Sequence, residues 1–238
     1  MGLAMAHQLL RPGHTLVCIS RHASTELAQA ASQAGATLQQ WQQDLSQGEQ
    51  AAHRLREWLA AQGPAAFASA TLINNAGVIP RIAPLSASDP PDLANALRVG
   101  LEAPMLLTAA FLGATEGWAM PRKVLNISSG LGRRAMASQA AYCAAKAGMD
   151  HFTRCVALDE ALKPHGARVC SLAPGVIDTD MQLQLRGTDP AAFPDAPNFA
   201  HLKTGGQLTS PADAATRVLA WLERADFGTH PVADVRDT

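Results

Sequence analysis

Short apolar runs alternate with amphipathic stretches of helical period along the whole chain, and this rhythm constrains the fold more than any single motif. The apolar runs are HTLVCIS (14–20), ATLQQW (36–41), ATLINNAG (70–77), KVLNISS (123–129), ARVCSLAPG (167–175) and HPVADV (230–235). Helical patterns cover 3–11, 23–34, 47–62, 91–114, 137–162 and 211–224. A chain built this way buries its apolar faces by winding helices onto both sides of a parallel sheet, so the expected fold is a three-layer α/β, doubly wound sheet. No internal repeat or linker interrupts the alternation, and 238 residues, 47% of them hydrophobic, suffice for a single domain over 1–238. The segment 186–210, rich in Pro, Gly, Asn and Asp, breaks the rhythm and is expected to form a long irregular loop over a substrate site.

A formal net charge of -1 with scattered basic residues gives no electrostatic case for nucleic acid or an anionic membrane, and small-molecule partners fit better. No uninterrupted apolar run reaches the length of a membrane span and no signal-peptide pattern opens the chain, so the cytoplasm is the expected compartment. Cys18, Cys143, Cys155 and Cys170 lack metal or redox spacing, and the eight histidines form no paired motif, so no metal is expected.

In a doubly wound sheet ligands sit at the carboxyl ends of the strands. Those ends read NNAG at 74–77, NISSG at 126–130 and APGVIDT at 173–179. Singly, such residues are ordinary turn chemistry. The helix after NISSG, however, carries the chain's one tyrosine, Tyr142, and one of its few lysines, Lys146, at i and i+4 on the same face.

With Ser129 thirteen residues before Tyr142, the set resembles the short-chain dehydrogenase/reductase family, whose catalytic pattern is a strand-end serine followed by YxxxK. The motifs at Asn74–Gly77, Asn126–Ser129 and Pro174–Thr179 match that family in order over essentially the whole chain. The resemblance implies a Rossmann-like fold and reduction of a carbonyl by a nicotinamide cofactor. Tyr142 would protonate the carbonyl oxygen, Ser129 would hydrogen-bond it, and Lys146 would hold the cofactor ribose and pull the phenol's pKa down towards neutrality. Asn74, Asn75, Ala76 and Gly77, together with Pro174, Gly175, Val176 and Thr179, would contact the cofactor.

Cofactor choice is read after TLVCIS, where Ser20 and Arg21 replace the acidic residue that would bind a free ribose. A guanidinium there suits the 2'-phosphate of NADPH; the alternative is an arginine merely ending a strand at the surface. Asp44 and Leu45 match the family's adenine-binding pair, and a helix-starting aspartate is the alternative for Asp44. The C-terminal quarter is similar to the sepiapterin reductase and benzil reductase branch, and by that resemblance Asp234 would anchor a pterin substrate; a surface aspartate at the end of an edge strand is the alternative. The resemblance also implies a homodimer formed through the helices near 91–114 and 137–162.

Two departures stand out. Gly100 occupies the place of the family's catalytic asparagine, and only Gly2 matches the glycine-rich phosphate motif. The first strand and earlier glycines are therefore expected upstream of Met1. A catalytically silent nucleotide-binding or regulatory protein on the same fold is the rival reading; the intact Ser129, Tyr142 and Lys146 speak against it.

Overall fold

The computed structural model describes residues 1–237. The strands are β1 (Thr15–Ser20), β2 (Thr37–Gln42), β3 (Ala70–Asn74), β4 (Arg122–Ile127), β5 (Arg168–Ala173) and β6 (Val232–Asp234). The helices are α1 (Gly2–Leu9), α2 (Thr25–Ala34), α3 (Gly48–Ala60), α4 (Pro90–Leu97), α5 (Ala103–Ala114), α6 (Ala140–Ala161), α7 (Asp180–Arg186), α8 (Ala196–Thr204) and α9 (Pro211–Glu223).

All strand pairs are parallel, and side-chain alternation sorts the core into two layers. Val124 and Val169 face one side, where they pack with Leu55 and Leu59 of α3 and Leu107 and Phe111 of α5. Leu125, Ile127, Cys170 and Leu172 face the other, against Met5 of α1 and Val218 and Leu222 of α9. The expected three-layer arrangement follows directly.

The sheet is divided. β1 pairs with β2, and β3 to β6 form a second sheet in the order β3-β4-β5-β6. β1 and β3 do not pair, although Val17, Ile19 and Leu72 pack against one shared core cluster. In the strand order of a doubly wound sheet, the facing edges of β1 and β3 flank the position of one further strand.

Two helical expectations need correction. The stretch 91–114 is not a uniform helix: Arg98–Glu102 forms a π turn between α4 and α5. By length and composition Pro90–Ala114 could cross a membrane, yet half of its apolar window is buried inside the fold. The segment 186–210 is not wholly irregular either, since α8 lies inside it. Leu185, Phe193 and Ala196 make a small separate cluster with Ile82, flanked by Met136 and Phe199, which fixes this segment over the carboxyl ends of the strands.

Candidate active site

β4 runs into an extended Ser129 followed by a tight turn at Gly130–Gly132, in which Ser129 Oγ accepts a hydrogen bond from the Leu131 amide (3.1 Å). The chain then enters α6, whose first turn carries Tyr142. Ser129 and Tyr142 are both half-buried, and the Ser129 side chain is near enough to influence the phenol. Lys146, 4% exposed, lies one turn below with its Nζ 5.8 Å from the Tyr142 ring centroid. Its ammonium donates to the Ile127 carbonyl at 2.7 Å, so the end of β4 positions the serine and the lysine together.

The expectation that Lys146 lowers the phenol's pKa is not met in the protein alone. Burial pushes Tyr142 up, the Ser129 side chain opposes this, and nearby Cys143 adds to the rise. Burial also pulls Lys146 down to about 8, with Asp150 opposing.

Gly77 belongs to the same site, because a Cβ there would stand 3.7 Å from Lys146 Nζ. Asn75 reaches the opposite side: a Cβ on Gly2 would come within 2.6 Å of Asn75 Nδ2, so the N-terminus of α1 abuts the end of β3. Ala76 continues this turn, half-buried. The Asn74 side chain turns into the fold. Its Nδ2 is buried and donates to Asn126 Oδ1 (2.8 Å) and Thr108 Oγ1 (3.1 Å), and Asn126 donates in turn to Thr153 of α6 (2.9 Å). The Asn74 side chain thus ties β3, β4, α5 and α6 together, and a cofactor contact at this position falls to its backbone.

After β5, Pro174 is buried and Gly175 turns the chain at φ +83°, a left-handed conformation that glycine adopts without strain. Val176 bonds backbone to backbone with Thr209, and Thr179 begins α7 with no capping bond from its side chain. Asp178, between them, holds Lys203 of α8 at 2.6 Å and Arg186 of α7 at 3.5 Å, clamping the covering segment to the end of β5.

At the other half-sheet, Ser20 and Arg21 are exposed beyond β1. Ser20 Oγ donates to the His22 carbonyl at 2.8 Å. Asp44 accepts from the Ser46 amide at 2.9 Å as a helix-start residue, and its carboxyl is lowered chiefly by that bond, with Arg21 a further influence. Arg21 and Asp44 therefore share one surface, with half-buried Leu45 next to them.

Asp234 is 6% exposed and already engaged: Arg236 binds it through Nε (2.7 Å) and Nη2 (2.6 Å). That pairing holds the carboxyl below its usual range. Gly100 is buried in the π turn, where a Cβ would sit 3.1 Å from the Cβ of Ala145, the neighbour of Lys146. The missing side chain is what lets this helix approach α6.

The short chain dehydrogenase family profile matches residues 1–189. The chain belongs to the short-chain dehydrogenase family. Benzil reductase ((S)-benzoin forming) of Bacillus cereus is 34% identical, with 95% of this chain and 91% of that protein covered. Sepiapterin reductase of Meriones unguiculatus is 29% identical over 97% of this chain and 88% of that one. Among solved structures, a Beutenbergia cavernae protein with NADP bound at low occupancy superimposes with a TM-score of 0.80 at 27% identity, covering 98% of this chain and 90% of that one. As a short-chain dehydrogenase, the protein is an oxidoreductase acting on carbonyl and alcohol groups. Asp150 and Arg133, which sequence reading passed over, stand directly behind this dehydrogenase's Lys146. Their signal was spacing: Asp150 follows Lys146 by one further turn on the same face of α6.

Proposed function

We propose that the protein is an NADPH-dependent reductase of a ketone, dicarbonyl or pterin-like carbonyl, using Ser129, Tyr142 and Lys146 as catalytic residues. The observation that carries this reading is that buried Lys146 donates to the Ile127 carbonyl at the end of β4, beside Ser129, with its Nζ 5.8 Å from the Tyr142 ring centroid. When bound, the reduced nicotinamide supplies the hydride that goes to the carbonyl carbon. Tyr142 gives its phenolic proton to the carbonyl oxygen, and Ser129 Oγ donates a hydrogen bond to the same oxygen. Burial favours the protonated phenol, the form a reduction requires.

The residues present fit such a cofactor. The first turn of α1 beside Asn75 offers backbone amides to phosphate, and Gly77 and Gly175 keep the strand ends low. Exposed Arg21, with no ion pair among the described residues, favours a 2'-phosphate. The names of the relatives support an aryl dicarbonyl or pterin as substrate, and the apolar cluster around Phe193 suits either. Homodimerisation belongs to the same reading: Leu158 and Leu162 of α6 are 71% and 86% exposed, and Met105 of α5 is 46% exposed. Following NADPH oxidation against benzil, sepiapterin and simple quinones tests the proposal. Turnover of at least one, lost in Tyr142→Phe, supports it, and no turnover of any carbonyl overturns it.

A further inference from the structure

Tyr142, Lys146 and Asp150 follow one another at single-turn spacing along α6, and Asp150 is the deepest of the three at 1% exposed. Its Oδ1 accepts from Ser128 Oγ beyond β4 and from Ser171 Oγ in β5, each at 2.6 Å. Its Oδ2 accepts from Arg133 Nε at 3.2 Å, and Arg133 Nη2 donates to the Ala233 carbonyl in β6 at 2.9 Å. Gly132 must remain bare for this, since a Cβ would lie 2.8 Å from Asp150 Oδ2 and 3.0 Å from the Lys146 carbonyl. One buried carboxylate thus joins the ends of β4 and β5, the turn after Ser129, and the strand that carries Asp234.

We propose that Asp150 is the positioning residue of the site: it is the fixed counter-charge that keeps buried Lys146 an ammonium and, through Arg133, locks α6 to β6. The proposal rests on the Ser129–Tyr142–Lys146 reading for its catalytic meaning. An ammonium donating only to a neutral carbonyl in a buried place is poorly stabilised, and a carboxylate one turn away offsets that cost. Charged or titratable groups on the elements packed against this part of α6 are Asp92 of α4, Arg98 and Glu102 of the π turn, Arg133 and Arg134, Arg168 and Cys170 of β5, and Asp234 of β6. Asp150 is the one that opposes the burial effect on Lys146. The serines and Arg133 prevent that carboxylate from turning away.

The test titrates lysine side chains labelled with 13C at Cε, read by NMR. The chain has only Lys123, Lys146, Lys163 and Lys203, so loss of one signal in Lys146→Arg assigns the resonance. In Asp150→Asn, which keeps an oxygen for the serines, the Lys146 midpoint should fall by about one pH unit or more while the other lysines stay put. Asp150→Glu should restore part of the shift. Arg133→Gln removes the competing cation and should move the midpoint up, giving a second reading should Asp150→Asn not fold. A Lys146 midpoint unchanged in either folded variant overturns the proposal. Because the readout needs no turnover, a moved midpoint alongside full activity in Tyr142→Phe supports the coupling and overturns the catalytic reading alone.

Discussion

Lys146 shares a helix face with Tyr142 but turns its ammonium to the Ile127 carbonyl, 2.7 Å away, rather than to the phenol. The phenol is left to burial, which keeps it protonated, with Ser129 pulling the other way. Tyr142→Phe retains the ring and removes the proton, so turnover should fall by about 100-fold or more with NADPH affinity little changed. Stopped-flow turnover and fluorescence titration of NADPH check the two halves. In the wild type, reduction should hold from neutral into mildly alkaline pH, and alcohol oxidation, which needs the phenolate, should climb with pH over the same range.

Lys146 costs stability at neutral pH. Its folded value of about 8 lies below the 10.5 of the unfolded chain, so between these values the unfolded state holds more protons and stability from this group rises with pH. Below about 8 the full cost remains. Lys146→Met should therefore abolish turnover while stabilising the fold by about 1 to 3 kcal/mol at pH 7. Urea unfolding at pH 7 and pH 10 should show the gain shrinking at the higher pH.

Arg21 stands exposed beyond β1 and close enough to Asp44 to influence its carboxyl. Arg21→Ala should raise the KM for NADPH about 10-fold or more, leaving NADH nearly unaffected, because only NADPH presents a phosphate to the guanidinium. Steady-state kinetics with both cofactors decide it, and equal losses would make the arginine a surface residue.

Arg236 occupies both carboxylate oxygens of Asp234. On the proposed reading, a pterin amine bound by Asp234 would have to displace it, whereas a diketone would not. Arg236→Ala should raise kcat/KM for sepiapterin relative to benzil, and Asp234→Ala should lower it. Parallel changes for the two substrates would give the pair a purely structural role.

The layers of the fold were legible because apolar alternation survives any detail of packing: Val124 and Leu125 had to face opposite sides of a strand. The Ser129, Tyr142 and Lys146 grouping was legible for a similar reason, a strand end followed by one face of a helix. The direction of the Asn74 side chain was not legible because its motif gives none; it turned inward to Asn126 once β3 and β4 paired. Asp150 was marked by its spacing alone, since its partners Ser128 and Ser171 come from strands that only the folded sheet brings together. α8 was hidden by Pro197, a residue that reads as a breaker but is tolerated in a first helical turn. Lys146's preference for Ile127 over Tyr142 depends on where β4 ends beneath α6, which spacing within one helix does not reveal.

Within the described residues, β1–β2 and β3–β6 are two separately hydrogen-bonded groups of strands. Among the described residues these two groups share side-chain packing and no strand pairing. The β1–β2 ribbon should therefore open at lower free energy than the block of β3 to β6, and its amides should exchange first. Arg21 and Asp44 lie on the ribbon, while Gly77, Lys146 and Thr179 lie on the block, so a dinucleotide held by both would act as a cross-brace. Binding energy would then appear as slowed exchange concentrated in residues 15–20 and 37–42, and affinity would include the work of setting the ribbon in place.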